Sequence, residues 1–563
     1  MLDSRTPIHT RRTRVFTWGI RCFQSLFSVF LCVAGFLMGM SLGGRVLAQS
    51  HLFTFPSKQA GIITVARPAG DVNGDGFDDI LMDGPSDPPV GDLVQVFSGR
   101  DGRLLWSLKP NKGNVDDLVG AGDLNRDGHA DIVIAVHDSV LNRNELWYHS
   151  GKTGKRFRTV LLKNYSPWAN LAQGGDVNRD GYPDLLVGLS NAGRAAVVSG
   201  KDGSLIHYLK PPASTVKVFA YQMAPAGDPD EDGYADFLVG SSSSIGGGAL
   251  AAHLYSGKTG RIMATFATTK KRLVGLSIHA MGDINKDGRR DYAITGREFQ
   301  PPYGLFIEIR SGAKRDKNKV LLTLREFNPS WGTANMEVAM VGDINRDGLP
   351  DLAVGFVQAT SGGPGGWIEF RSGKDGSFLS LLKAPVQNLL LANRIGNLGD
   401  VNGDGMPDIY SQTAGAVSSP IPKFDIYVYS GTPMDLWSDT HRVSLSKQGK
   451  QVLQLDAGPK HAGSSYFVLG SLSGIKPGLK LGGLTLPLQP DLYFWLTASS
   501  PNSAMFQGSL GVLDSKGRAT CTITALKGLP AAWVGARADH AYLLFKNGRF
   551  TKTSHWVPLL FEK

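Results

Sequence analysis

Short apolar runs recur along this chain at a nearly constant interval, and each starts at an aspartate. They read DILM from Asp79, DIVIAV from Asp131, DLLVGL from Asp184, DFLVGS from Asp236, DYAITG from Asp291, DLAVGF from Asp351 and DIYS from Asp408. Runs of this length, bounded by turn-forming residues, predict β-strands rather than helices. A second pattern lies between them: alternating runs such as LVQVF, ELWYH and DIYVY, then a Ser-Gly turn at Ser98, Ser150, Ser199, Ser256, Ser311, Ser372 or Ser430, then runs such as LLWSL, RFRTVL and LIHYL. Two alternating segments around a glycine-containing turn predict a hairpin. Each period therefore holds four short strands.

The segment entering each apolar run is an acidic loop with a fixed grammar. Counting the first aspartate as position 1, oxygen-bearing side chains fall at positions 1, 3, 5 and 9, and position 6 is always glycine. Loop one offers Asp71, Asn73, Asp75 and Asp79, with the carbonyl of Phe77 at position 7. Loop two offers Asp123, Asn125, Asp127, Asp131 and His129; loop three Asp176, Asn178, Asp180, Asp184 and Tyr182. Loop four has Asp228, Asp230, Asp232, Asp236 and Tyr234; loop five Asp283, Asn285, Asp287, Asp291 and Arg289. Loop six has Asp343, Asn345, Asp347, Asp351 and Leu349, and loop seven Asp400, Asn402, Asp404, Asp408 and Met406.

Alternate oxygen ligands on a tight turn suit a hard cation, and calcium takes six to eight of them. Glycine at position 6 supplies the positive φ of a sharp reversal. The opening D-x-N-x-D-G is shared with an EF-hand, which requires a glutamate at position 12 between two helices. Position 12 is Met82, Ile134, Val187, Val239, Ile294, Val354 and Ser411, so the EF-hand reading fails. A polar turn that binds nothing is the competing reading. Three or four carboxylates held close together repel unless a cation neutralises them, which favours up to seven calcium ions, one per loop.

The position-1 aspartates are spaced by 52, 53, 52, 55, 60 and 57 residues on subtraction. A period of that size, four strands to a unit, predicts a seven-bladed β-propeller, with an open solenoid as the alternative. Leu52 to Phe55 is placed to complete the seventh blade beside Asp425 to Tyr429. The acidic loop, the following LLVG-like strand and the V-x-SG-K-[DT]-G hairpin together resemble the FG-GAP repeat of integrin α-subunit propellers and related secreted bacterial proteins. The resemblance spans roughly Gly61 to Trp437 and implies calcium in hairpin loops on one face. It departs from integrins in carrying the acidic motif in every blade and in lacking a long leg region, which counts against an integrin-like receptor role.

At the N-terminus, Arg5, Arg11, Arg12 and Arg14 precede an apolar run from about Cys22 to Leu42 and then Val46-Leu47-Ala48. This order predicts a signal peptide over 1–48, with an uncleaved membrane anchor as the alternative. The acidic loops stop by 439, so 49–439 is expected to be the propeller. Residues 440–563 are expected to be a β-sandwich on the strength of VLQLDAG, YFVLGSLSG, LTLPL, LYFWLT, a hairpin around Lys516-Gly517, HAYLLF and WVPLLF. His461 and His540 are its conspicuous polar residues and are expected to be structural or exposed. Cys22 and Cys32 fall in the leader, leaving Cys521 without an intramolecular partner, so calcium takes the place of disulfides as the staple.

The formal charge is +10, with 59 Lys and Arg against 49 Asp and Glu. Of those acids the ligand positions of the seven loops use 22, three in each and a fourth in loop four. The remainder of the chain is strongly basic, which suits an anionic partner or simply solvates hairpin tips. No G-x-S-x-G, no H-E-x-x-H and no cysteine nucleophile appears, and acids engaged by a metal are poor general bases. The expected function is non-catalytic: an exported calcium-binding module for an extracellular glycan or protein, with anionic polysaccharide a candidate, acting as a monomer. Nucleic acid is not an expected partner, and membrane is one only if the leader stays uncleaved. Contact loops are expected at Ser241 to Gly248, Gly296 to Gly304 and Ala359 to Gly366. The alternatives are a structural envelope protein or a calcium-dependent polysaccharide lyase or hydrolase.

Overall fold

The computed structural model describes residues 51–563 except 56–64, 86–91, 111–112, 139, 142, 163–168, 212–217, 243–249, 302, 317, 327–332, 359–365, 384–389, 415–424, 432, 476, 482 and 527–532. The predicted leader and most of two of the three predicted contact loops lie outside the described residues. The third expected contact loop is shorter than anticipated: the strand Tyr292–Glu298 carries Gly296, and Gly304 opens the next strand.

Seven four-stranded antiparallel sheets follow one another along the chain, and their fold is a β-propeller. The first comprises Val65–Gly70, Asp79–Pro85, Asp92–Phe97 and Leu104–Leu108, and the next five repeat that order without interruption. Each acidic loop joins the first strand of a sheet to the second, and in the first six sheets the Ser-Gly turn joins the third to the fourth, as the pattern predicts. The seventh sheet takes three strands from Leu390–Gly399, Asp408–Ala414 and Ile426–Tyr429, and its fourth is His51–Phe55, paired antiparallel with Ile426–Tyr429. The circle is thus closed by the two ends of the repeat region.

Why the second strands read as continuous apolar runs is now visible. They are flanked on both faces by neighbouring sheets, so alternation is lost. In Asp131–Asp138, Ile132, Val133, Ile134, Ala135 and Val136 are all buried. The fourth strands lie at the rim and alternate instead, as in Arg156–Leu162. Each junction between sheets holds its own apolar cluster. Val94, Val96 and Leu81 meet Leu118, Ile134 and Trp147 between the first and second sheets, and Ile80 and Met82 meet Phe55, Leu398, Tyr410 and Val428 where the seventh sheet returns to the first.

Beyond the ring, a four-stranded sheet (Leu436–Ser438, Lys450–Asp456, Arg518–Thr524 and Phe506–Gln507) and a six-stranded sheet share one apolar cluster that includes Leu453, Leu455, Cys521, Ile523, Tyr466, Tyr542 and Phe561. Leu436–Ser438, on the N-terminal side of the expected 439/440 boundary, pairs with Lys450–Asp456.

Two local expectations fail here. LYFWLT is not a strand but part of the α-helix Leu492–Ser499, started by Asp491, whose side chain accepts the Phe494 N–H. An aspartate N-cap before an apolar run is a helix-start signal that outweighs aromatic β-propensity. The segment around Lys516-Gly517 is not a hairpin either. Leu510–Val512 pairs with Ser465–Ser471, whereas Arg518–Thr524 pairs with Lys450–Asp456, so the turn crosses from one sheet to the other. Among the described residues no helix is long and apolar enough to cross a membrane.

Candidate metal loops

All seven acidic loops adopt one conformation, written by the side chains themselves. The position-1 carboxylate accepts the N–H groups of positions 5 and 6: Asp75 and Gly76 donate to Asp71 at 3.1 and 2.9 Å, and Asp127 and Gly128 to Asp123 at 3.0 and 2.9 Å. Asp176, Asp228, Asp283, Asp343 and Asp400 repeat the arrangement. The position-3 oxygen accepts from position 5, and the position-5 carboxylate from position 7, as in Asn178 to Asp180 at 2.9 Å and Asp180 to Tyr182 at 3.0 Å. The backbone wraps its oxygens into a cup. The position-6 glycines have φ between 81° and 96°, and Arg126, Arg179, Glu231, Lys286 and Arg346 at position 4 are also left-handed.

Position 9 has a second role that the sequence pattern does not show. Its carboxylate is fully buried in every loop. One oxygen accepts the position-2 N–H (Val72 to Asp79, 2.9 Å), and the other accepts the N–H of the glycine in the Ser-Gly turn of the same sheet (Gly99 to Asp79, 3.0 Å). The second bond recurs from Gly151, Gly200, Gly257, Gly312, Gly373 and Gly431 to Asp131, Asp184, Asp236, Asp291, Asp351 and Asp408. Those glycines admit no side chain: a Cβ on Gly200 would lie 1.8 Å from the Pro183 carbonyl oxygen. Burial pushes Asp79, Asp131, Asp184 and Asp291 up to about 6, and Asp236, Asp351 and Asp408 up to about 7. The invariant glycine after each serine was the available signal for this clip.

The loops also touch one another around the ring. The position-8 N–H donates to the position-1 carbonyl of the preceding loop, from Ala130 to Asp71 at 3.0 Å, Ala235 to Asp176 at 3.2 Å and, across the closure, Asp78 to Asp400 at 3.2 Å. Position-7 side chains, chosen from the sequence for their carbonyls, reach back the same way. His129 Nδ1 lies 3.1 Å from the Val72 carbonyl oxygen, Tyr182 lies under Arg126, Tyr234 lies under Arg179, and Arg289 approaches Asp228 and Glu231. Phe77 and Met406 pack beside the glycines Gly403 and Gly342 of the preceding loops.

Loop four differs. Pro229 occupies position 2 and has no N–H to give, so the buried Asp236 Oδ2 has no hydrogen-bond partner. Position 3 is Asp230, and oxygens of Asp228, Asp230 and Asp236 lie within 4.8 Å of one another. Burial, then the charge of Asp232, raises Asp230. An orphaned buried carboxylate oxygen beside two more carboxylates fits a hard divalent cation, which supplies the charge and the missing partner together. In loop six, Arg346 leaves the ring: its Nη1 lies 3.0 Å from Asp456 Oδ1 among the C-terminal sheets, and Met434 N–H donates to the Ile344 carbonyl at 2.7 Å.

The FG-GAP-like repeat family model matches residues 123–187, which holds loops two and three. Human integrin alpha-6 is 32% identical over 132 residues, 21% of this chain and 12% of that protein. Integrin alpha pat-2 of Caenorhabditis elegans is 29% identical over 215 residues, 32% of this chain and 17% of that protein. The chain therefore aligns with a small part of these relatives' length. Among solved structures, BBS1N in complex with ARL6DN gives a TM-score of 0.39 at 9% identity, covering 68% of this chain and 97% of that one. The Dos1 propeller gives 0.38 at 11%, covering 64% and 77%.

Proposed function

We propose that this FG-GAP-repeat β-propeller is an exported, non-catalytic binding or adhesion module, stiffened by up to seven calcium ions and engaging a glycan or protein at the cell surface. In this reading 1–48 is a leader, 49–439 the calcium-binding ring and 440–563 a separate C-terminal domain. The partial likeness to integrin α-subunits supports a binding role outside the cell.

The observation that carries the calcium reading is the orphaned Asp236 Oδ2 in a loop where Asp228, Asp230 and Asp236 bring carboxylate oxygens within 4.8 Å of one another, and whose architecture repeats seven times. A divalent cation bound there supplies positive charge to oxygens that otherwise repel. The chain's own residues do the rest. The position-1 aspartates fold the cup, and the position-9 aspartates tie it to the Ser-Gly turn, so cation binding is transmitted to the outer hairpin of the same sheet.

The test is binding to glycan and extracellular-protein arrays in calcium and in chelator, alongside thermal unfolding. Saturable binding and a melting temperature that both fall on chelation are expected. An unchanged melting temperature would remove the calcium reading, and an array without hits in either buffer would remove the binding role.

A further inference from the structure

The C-terminal sheets carry a surplus of positive charge, and the fold brings part of it together on three neighbouring turns. Residues 440–563 contain fourteen Lys and Arg against five Asp and Glu. The five acids are already engaged. Asp456 faces Arg346 and Arg518, Asp539 faces Arg537 and Glu562 faces Arg442. Asp491 caps the helix, and Asp514 accepts the N–H groups of Lys516 and Arg518 within its own turn.

Three chain segments converge at those turns. Ala457 N–H donates to the Gly517 carbonyl at 3.0 Å, which sets the short helical turn Pro459–His461 against the crossing turn at Asp514–Arg518. Ser465 pairs with Phe545, which brings the same turn beside the hairpin tip Lys546–Arg549. His461 sits in the combined field of Lys460, Lys546 and Lys552, which holds it below its usual range after the larger effect of burial. Lys552 is paired with Asp435 at 2.9 Å. Lys460, Lys516, Lys546 and Arg549 are exposed and have no ion-pair partner among the described residues.

We propose that this group of turns in the C-terminal sheets is the docking surface for a linear anionic polysaccharide, gripped by Lys460, Lys516, Lys546 and Arg549. The inference rests on the binding-module reading and names its surface and ligand class. Like charges gathered on three separate turns repel one another, and a polyanion laid across them removes that repulsion. The exposed Ser515 and Asn547 between the cations offer hydroxyl and amide groups to sugar hydroxyls. Single-stranded nucleic acid fits less well. Binding it needs aromatic platforms, the three turns expose none, and nearby Phe550 packs against Phe545. The acidic-loop face is a weaker candidate because its own cations face its own acids, as Lys258 faces Asp232 and Arg315 faces Asp287.

The test uses the purified chain, calcium-loaded, against labelled heparin, polygalacturonate and a DNA duplex at low and high salt. Two quadruple variants are compared: Lys460→Glu, Lys516→Glu, Lys546→Glu and Arg549→Glu, and, as a control of equal charge change on the ring, Lys152→Glu, Lys201→Glu, Lys258→Glu and Lys374→Glu. Melting temperatures establish that both fold. The first variant should lose roughly tenfold or more in affinity for a polysaccharide and flatten its salt dependence, while the second keeps most of its binding. Equal loss in both variants, or loss only in the ring variant, would overturn this surface and leave the binding-module reading standing. Tighter binding to duplex DNA than to either polysaccharide would overturn the ligand class. No polysaccharide binding, with hits elsewhere on the arrays, would overturn the proposal alone.

Discussion

In the ring, each sheet meets its neighbours through a small apolar cluster and carries one buried carboxylate clip within itself, repeated seven times with minor variation. In the C-terminal sheets a single apolar cluster joins both sheets, no such clip repeats among the described residues, and the polar interior is a mixture that includes Gln451, Asp456, Asp539 and His540. His540, fully buried, has its Nε2 2.9 Å from the Tyr493 hydroxyl. The ring stores negative charge in its interior turns, and the C-terminal sheets display positive charge at theirs. The contrast teaches that a fold with no disulfide among the described residues can be fastened either by many small polar staples that depend on solution conditions or by one continuous apolar core that depends on them less.

The largest expected effect comes from removing calcium. If the seven loops hold calcium as proposed, then at free calcium tenfold above Kd they contribute about 10 kcal/mol, and chelation should lower the melting temperature sharply. Hydrogen exchange should show the loss in the ring strands and much less in Lys450–Asp456 and Ser465–Ser471. Equal loss in both regions would erase the contrast.

Next in size is a pair of glycine substitutions. Gly200→Ala drives a methyl into the Pro183 carbonyl and should cost about 3 kcal/mol, whereas Gly463→Ala has open space around it and pays only for a left-handed backbone, about 1 kcal/mol. Denaturant unfolding of the two variants gives the difference directly. Similar costs would show that the clip geometry is looser than described.

Acidity should move the two regions in opposite directions when metal is absent. The seven position-9 acids have folded values near 6 to 7 against about 3.8 unfolded. The folded ring therefore binds more protons across that window, and its stability rises as pH falls from 7 toward 4. His540 and His441 are held down to about 3 and about 4 from 6.5, both chiefly by burial, so the unfolded chain binds more protons below 6.5 and the C-terminal sheets weaken over the same window. His253 and His279 in the ring, each near 4 through burial, oppose its seven acids but are outnumbered. Exchange protection in chelator at pH 7 and 4.5 should rise in the ring and fall in the C-terminal sheets, by on the order of 1–3 kcal/mol. Parallel changes would refute the assignment.

The smallest effect tests loop four against its six relatives. Pro229→Val restores an N–H beneath Asp236 Oδ2 and should stabilise the metal-free chain by about 1 kcal/mol. Chemical denaturation in chelator measures it.

Much of this was legible beforehand because the repeat averages over local noise: one loop is ambiguous, but seven in register with seven Ser-Gly turns are not. An incomplete last unit demands a donor strand, which is why Leu52 to Phe55 is readable as the completing strand that His51–Phe55 supplies. What escaped was tertiary. That Asp184 bonds to Gly200, that Tyr182 underlies Arg126, and that Arg346 departs for Asp456 depend on distances between turns, which no period reveals. In the C-terminal sheets no repeat supports the reading, so the aromatic composition of LYFWLT suggests a strand while the single Asp491 N-cap that makes it a helix carries little weight by itself.

The pairing of His51–Phe55 with Ile426–Tyr429 joins strands some 370 residues apart. A ribosome adding about 5–20 residues per second leaves the first of these strands without its partner for on the order of tens of seconds. Until then the first sheet has an open flank and the circle has a gap, however complete the sheets between. The molecule is therefore assembled like a hoop rather than a chain of beads. Individual sheets form early, but the event that makes the whole resistant to proteases comes last, once the end of the repeat region reaches its beginning.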